Sequence, residues 1–343
     1  MTARTLDRLA LTALTALLTT ACDDPDAPAS GDVAFRTGTG QGGPVFNTNV
    51  ILGSEVPAAD TTGQPLGDVT LLTVELLLDT TFVPVDLGSL HVDHGTLIGT
   101  HANITYAGPA FIHSRWTFEV GGQPLTALLT NVETSLVASL YTPGSGPEIR
   151  MLDPERLVYT FQYLDPIKQT PISTCAPDAV GGARMVLYGD IVVDHATGEF
   201  SERPDTIYFG CLSGAVGKAA LWGYAHDSPS LPDFSLDVLE TGTRTVRADY
   251  CASGQSYTTP GKQLTLQDHW GINEHGMVPF KTEAIWEVGG PAVCVSRIRK
   301  TGKVLPTGLA CPGGPVIPAC GATELAASVQ WNLTADSIWT RIP

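Results

Sequence analysis

Seven cysteines are the residues in this sequence with the most chemistry open to them, and their spacing separates one from six. Cys22 closes the one strongly apolar segment, Leu9 to Ala21, while Cys175, Cys211, Cys251, Cys294, Cys311 and Cys320 all lie in the second half. A cysteine at an export-signal boundary suits lipid attachment, and an even set downstream suits disulfides. Cys311 and Cys320 bracket a short Pro/Gly loop, where a local disulfide is the default and would add about 2–3 kcal/mol. A nucleophilic cysteine needs a nearby histidine, and no pattern supplies one.

Other reactive groupings are weaker. His91, His94 and His101, with Asp93 among them, could offer imidazoles to zinc or copper. Their spacing matches no structural zinc site, and the chain has no CxxC or HExxH. They read as surface histidines on a strand and its turn, so no metal and no cofactor is expected. Gly38-Thr39-Gly40-Gln41-Gly42-Gly43 has the GxGxxG spacing. Pyrophosphate binding needs a helix to start there, and Pro44 follows instead, so the segment reads as linker. No GxSxG elbow, P-loop or Ser-x-x-Lys motif occurs. Paired carboxylates assemble in space and leave no local signature, so no catalytic residue is assigned.

The segment before Cys22 determines where such chemistry would take place. Its head carries Arg4 and Arg8 against Asp7, and its apolar run of about 13 residues falls short of the roughly 20 that span a bilayer. A cleavable signal fits. Thr19, Thr20 and Ala21 before Cys22 resemble a bacterial lipobox, with Thr19 where Leu is usual and Leu18 one place early. The other reading is ordinary secretion with Cys22 left as a free thiol. Parity argues against that, because it leaves one of seven cysteines unpaired. Residues 1–22 are thus expected to be a lipoprotein signal peptide and 23–45 an acidic, Gly- and Pro-rich tether. The localisation expected is the bacterial cell envelope, lipid-anchored to the inner or outer membrane and facing the periplasm or the surface.

Composition narrows the partners. Taking Arg4 and Arg8 from 19 Lys+Arg, and Asp7 from 35 Asp+Glu, leaves 17 against 34 and a formal charge of −17. Such a surface repels phosphate backbones and anionic lipid heads. Nucleic acid is therefore not expected, and Arg297-Ile298-Arg299-Lys300 is too short to change that. Membrane contact is expected through Cys22 alone, and a protein or glycan partner stays open. Hydrophobic residues at 43% suffice for a core, and 36 Gly with 25 Pro require many turns.

The elements that must hold these residues read as α+β, with β dominant. Residues 46–160 form a β-rich region. Val69–Leu78 is rich in β-formers, although its second half also fits a buried helix turn. Phe82-Val83-Pro84-Val85 carries a proline and is demoted to an edge. Trp116–Val120 before Gly121-Gly122, and Leu157–Tyr163, alternate as strands. Gly88-Ser89-Leu90 and Gly95-Thr96-Leu97 are turn-strand punctuation rather than a solenoid repeat. Further on, Met185–Tyr188, Asp190–Val193, Gln263–Leu266 and Val293–Val295 are strand-like. His195-Ala196-Thr197-Gly198 reads as a hairpin turn. Two short helices are expected, one over Gly214–Tyr224 and one from Pro232 towards Val246. The second aligns Leu236, Leu239, Thr243 and Val246 on one face, with Gly242 as a weak point.

The stretch Arg244-Thr245-Val246-Arg247-Ala248-Asp249-Tyr250-Cys251, with Gly254, Ser256, Thr258, Gly261, Leu264 and Asp268, resembles the ADYC-domain proteins. Phe209-Gly210-Cys211, Gly214-Ala215, Lys218 and Trp222-Gly223-Tyr224 upstream fit the same pattern, as do Glu283-Ala284-Ile285-Trp286 and Cys294 downstream. The resemblance covers about residues 165–300 and puts an ADYC domain at 165–343. It implies an exported protein, often a lipoprotein of myxobacterial type, and brings no established activity. Family members usually have cysteines at the places of Ala219 and Gly242. Losing both together implies a missing disulfide, and hence two helices packed side by side. Of the 15 connectivities open to the remaining six cysteines, the pairing expected is Cys175–Cys211, Cys251–Cys294 and Cys311–Cys320.

Within the family motif of Ala248, Asp249, Tyr250 and Cys251, Tyr250 is expected to be a buried ring. Asp249 is expected to cap a turn or pair with Arg247 or Arg244, and Cys251 to tie the helix end to a distant strand. The function expected is a lipid-anchored envelope protein with a binding or structural role. The alternative is a secreted hydrolase of envelope or extracellular polymer with a carboxylate-based site.

Overall fold

The computed structural model describes residues 45–46, 48, 50–51, 54, 56–134, 155–164, 170–178, 182–228, 234–273, 280–321 and 336–343. The expected signal segment, Cys22, residues 23–44 of the expected tether and the GxGxxG spacing lie outside them. The chain opens with β1 (Val45–Phe46), β2 (Ala58–Asp60), β3 (Val69–Leu78) and β4 (Thr81–Pro84). A small sheet follows, made of β5 (Asp86–Asp93), β6 (Thr96–His101) and β7 (Ile104–Ala107). A 3-10 turn (Gly108–Phe111) leads into β8 (Arg115–Val120), β9 (Gln123–Thr134), β10 (Leu157–Leu164) and β11 (Pro171–Ser173). Next come β12 (Met185–Val193), β13 (Phe200–Cys211) and two helices, α1 (Ala215–Leu221) and α2 (Leu236–Arg247). The remaining strands are β14 (Gln263–Asp268), β15 (Lys281–Glu287), β16 (Ala292–Val295), β17 (Leu309–Ala310), β18 (Val316–Ile317) and β19 (Ser337–Ile342). The fold is α+β with β predominant.

Nine strands build the main antiparallel sheet, in the order β2-β13-β12-β10-β9-β8-β3-β4, with β11 beside β10. A second sheet runs β1-β14-β19-β15-β16, and β17 and β18 form a small hairpin. Local chemistry sets the connections. Gly121 and Gly122, both at positive φ, supply the two-residue turn that joins β8 to β9. Asp194 accepts from the Ala196 and Thr197 amides, so the turn at 195–198 returns the chain into β13. The long pairings are set by burial. Ala59 pairs with Ile207 of β13, far along the chain.

The paired halves Met185–Tyr188 of β12 and Tyr208–Cys211 of β13 are buried on both faces. Met185, Leu187, Ile207 and Phe209 point into an apolar core with Trp116, Phe118 and Phe161. Val186, Tyr188 and Tyr208 point into a second core with both helices and the five-stranded sheet. This follows from the two-residue period of a strand. The division expected at residues 160–165 therefore falls inside the nine-stranded sheet, which takes strands from both sides of it.

Helix α1 lies close to expectation, and α2 starts at Leu236; Pro232 is outside the described residues. Leu239, Thr243 and Val246 are fully buried. The helices do lie side by side. A Cβ at Gly242 would meet that of Tyr224 at 2.8 Å, while the Ala219 carbonyl accepts from the Tyr224 amide at 3.0 Å.

All six downstream cysteines form disulfides, but two of the pairs correct the sequence expectation. Cys175–Cys211 is found, together with Cys251–Cys311 and Cys294–Cys320. The reason is the β17–β18 hairpin. Its return strand runs beside β16, where the Val295 amide donates to the Pro318 carbonyl at 2.9 Å, and this carries Cys320 to Cys294. Cys311, at the turn, is left to meet Cys251. Three disulfides indicate an oxidising, extracytoplasmic compartment. Among the described residues, no helix is long and apolar enough to cross a membrane.

Candidate functional site

Helix α2 is polar in sequence, yet every residue from Val238 to Arg247 is buried. It lies between the two sheets, so each charge on it must find a partner. Glu240 pairs with Arg244 one turn on, and the Arg244 guanidinium also donates to the Gly290 carbonyl at 3.2 Å. Arg244 and Arg247 sit in the last turn, where cations favour the helix dipole. Ala248 then adopts the left-handed conformation (φ 53°) that ends the helix.

The four motif residues follow from this ending. The Asp249 carboxylate accepts from the Ser253 and Gly254 amides at 3.1 and 2.7 Å and pairs with Arg247 at 3.6 Å. Arg247 donates to the Gly254 carbonyl at 2.6 Å. Gly254, at φ 78°, presses on the 195–198 turn, where a Cβ would fall 1.9 Å from the Ala196 oxygen. Burial pushes the Asp249 carboxyl above its ordinary range, against the pull of its amides and Arg247.

Tyr250 is fully buried and stacks on Trp286 at 5.4 Å. Its hydroxyl donates to Glu283 at 2.6 Å and accepts from the Arg299 amide at 3.0 Å. Burial first, and then the Glu283 charge, hold that hydroxyl well above its usual range. Glu283 sits at a register shift between Thr282 and Ala284, a bulge that turns its side chain inward. Arg299 grips it with two nitrogens at 2.8 and 3.0 Å, and both side chains are 0% exposed. The remaining Arg299 nitrogen donates to the Thr245 and Val246 carbonyls at 2.8 and 3.0 Å. These are carbonyls of the last helical turn, and the Ala248 amide also donates to that of Thr245.

Another buried carboxylate lies at the end of β14. Asp268 accepts from the Ile272 and Asn273 amides at 2.9 and 2.7 Å and from the Tyr224 hydroxyl at 3.1 Å. Burial raises its pKa in spite of these bonds. Asn273 also donates to the Trp222 carbonyl at 2.7 Å, tying the loop after α1 to the end of β14.

Nearer the surface, Arg156 donates to Asp227 and to the Leu187 carbonyl, both at 2.9 Å, and lies over the Tyr188 ring at 4.7 Å. His226 stacks on the same ring at 5.7 Å. On α1, burial pushes the Lys218 amine down to about 8.

A general base must reach a substrate proton. Asp249, Asp268 and Glu283 instead hold backbone amides, a tyrosine hydroxyl or an arginine, and so they fix loops. Of the resemblance residues, Gly254, Glu283 and Trp286 thus meet the motif, while Tyr224 and Asp268 meet each other. The three histidines do not converge. His91 and His101 each face a carbonyl at 2.8 Å, from Ser89 and Pro84, and His94 lies 3.7 Å from exposed Asp93. Among the described residues, no group of three metal-ligating side chains forms. Sequence reasoning missed Arg299 and Asn273. Arg299 sits between Arg297 and Lys300 and reads as surface; the one signal available was that Glu283 needed a cation.

The family model described as ADYC domain matches residues 108–301, more than half of the chain. The match begins well before residue 165 and takes in β8, β9 and β10. No curated protein and no solved structure matches the chain.

Proposed function

This chain belongs to the ADYC domain family, and from that premise we propose that it is a lipid-anchored protein of the bacterial cell envelope with a binding or structural role. The observation that supports this is the pairing. Cys175, Cys211, Cys251, Cys294, Cys311 and Cys320 use one another up, and of the seven cysteines Cys22 is the odd one. An exported thiol left over at a signal boundary suits acylation. The acidic tether then holds the folded part off the membrane, and the buried network around Tyr250 gives a rigid body to present.

A hydrolase needs carboxylates open to substrate. Asp249, Asp268 and Glu283 are taken up by structural bonds, which favours the binding or structural reading. Labelled palmitate tests the anchor. The wild-type chain should take up label and sediment with membranes, and Cys22→Ala should do neither. A Cys22→Ala chain that still partitions with membranes overturns the proposal.

A further inference from the structure

The five-stranded sheet has ends of opposite charge. Register places the start of β14, the start of β15, the end of β16 and the end of β19 together: Thr265 and Thr282 both pair with Arg341, and Lys281 with Ile342. The loop after β16 joins the same end, because the Ser296 amide donates to the Glu283 carbonyl at 2.7 Å and Arg297 bridges to Val304. Lys262, Lys281, Arg297, Lys300, Lys303 and Arg341 therefore gather there, six of the 17 basic residues that follow Cys22.

Lys262, Lys281, Lys300 and Lys303 are exposed. Loops 255–262, 280–282, 296–308 and 341–343 carry no Asp or Glu. Glu283, close by in sequence, is buried and neutralised by Arg299. Glu287 and Asp336 are exposed at the opposite end, roughly 20 Å away along a six-residue strand. Val304, 52% exposed, stands beside Lys303.

We propose that this basic end docks on anionic phospholipid headgroups. At physiological salt the Debye length is about 8 Å, so an anionic surface feels the nearest face of the protein rather than its total charge. Juxtamembrane lysines and arginines gain from such a surface. An apolar side chain among the cations suits a headgroup boundary better than it suits a polysaccharide. The orientation rests on the anchored reading above, in which only residues 23–44 separate an acylated Cys22 from β1, so the domain is kept at the membrane.

The test uses the full chain with Cys22→Ser, so that it is read without any acyl group and its failure is separate from failure of the anchor. Vesicles of phosphatidylcholine containing phosphatidylglycerol should bind this protein at low salt, and pure phosphatidylcholine vesicles should not. Lys281→Glu and Lys303→Glu should each weaken binding by about fivefold or more, with an unchanged melting temperature. Absence of binding to the anionic vesicles overturns the proposal. So does binding that survives both reversals, and so does retention on an anionic polysaccharide with none on vesicles.

Discussion

The two cores that share β12 and β13 are held by different physics. In the first, Trp116 meets Phe161 edge-on at 5.4 Å, and Phe209 lies edge-on to Phe161 at 5.9 Å. These contacts scale with area and shape, and they tolerate another apolar side chain of similar size. The second core surrounds α2 and contains Glu240, Arg244, Arg247, Asp249, Glu283 and Arg299. There each group is specified by a partner, and removing one strands the other. One sheet therefore carries a core that specifies volume on one face and a core that specifies partners on the other.

The largest contrast comes from introducing one residue type into both. Arg299→Met leaves Glu283 buried without its cation and should cost about 3–5 kcal/mol in urea unfolding. Leu129→Met in the aromatic core should cost less than about 1.5 kcal/mol. Adding Glu283→Leu to Arg299→Met should recover at least half of the loss. Similar costs for the two single variants would erase the distinction. A middle effect tests the helix pair. Gly242→Ala improves helix propensity by about 1 kcal/mol but places a Cβ 2.8 Å from that of Tyr224. The net change should be destabilising by about 1–3 kcal/mol, seen as a lower melting temperature; a rise would mean that the helices separate easily.

The smallest effect is a pH slope. The folded pKa of Asp268 lies above its ordinary 3.8, so the unfolded chain gives up its proton first as pH rises. Stability should therefore fall as pH climbs from about 3.8 through the folded value, by less than about 1.4 kcal/mol per pH unit. Asp268→Asn should remove that part of the fall, and Leu129→Met should keep it. An unchanged profile in Asp268→Asn would put the slope elsewhere.

The same contrast explains what was legible in the sequence. Strand β3 runs Val69–Leu78 as its β-formers predict, β4 is an edge as Pro84 requires, and α1 lies inside its expected span. These are regularities of local pattern. Strand β13 was hidden because its first half, with Glu202, Pro204 and Asp205, looks like loop. The burial of α2 was hidden because its sequence reads as a half-exposed helix. The family motif could be picked out as a string, but its partners Glu283 and Arg299 join it only through the sheet. The disulfide exchange has the same origin, since the path of the β17–β18 hairpin decides which sulfurs meet.

The pairing of β2 with β13 also sets an order of events. An exported chain crosses its membrane from the N-terminus onward. Ala58–Asp60 emerges early and must wait until Thr206–Tyr208 has followed before its edge of the main sheet can form. β1 waits longer still, for Gln263 and Leu264. If Cys22 is acylated as it emerges, the protein is moored before it is folded. Its last seams are those that the final strand, β19, makes with β14 and β15.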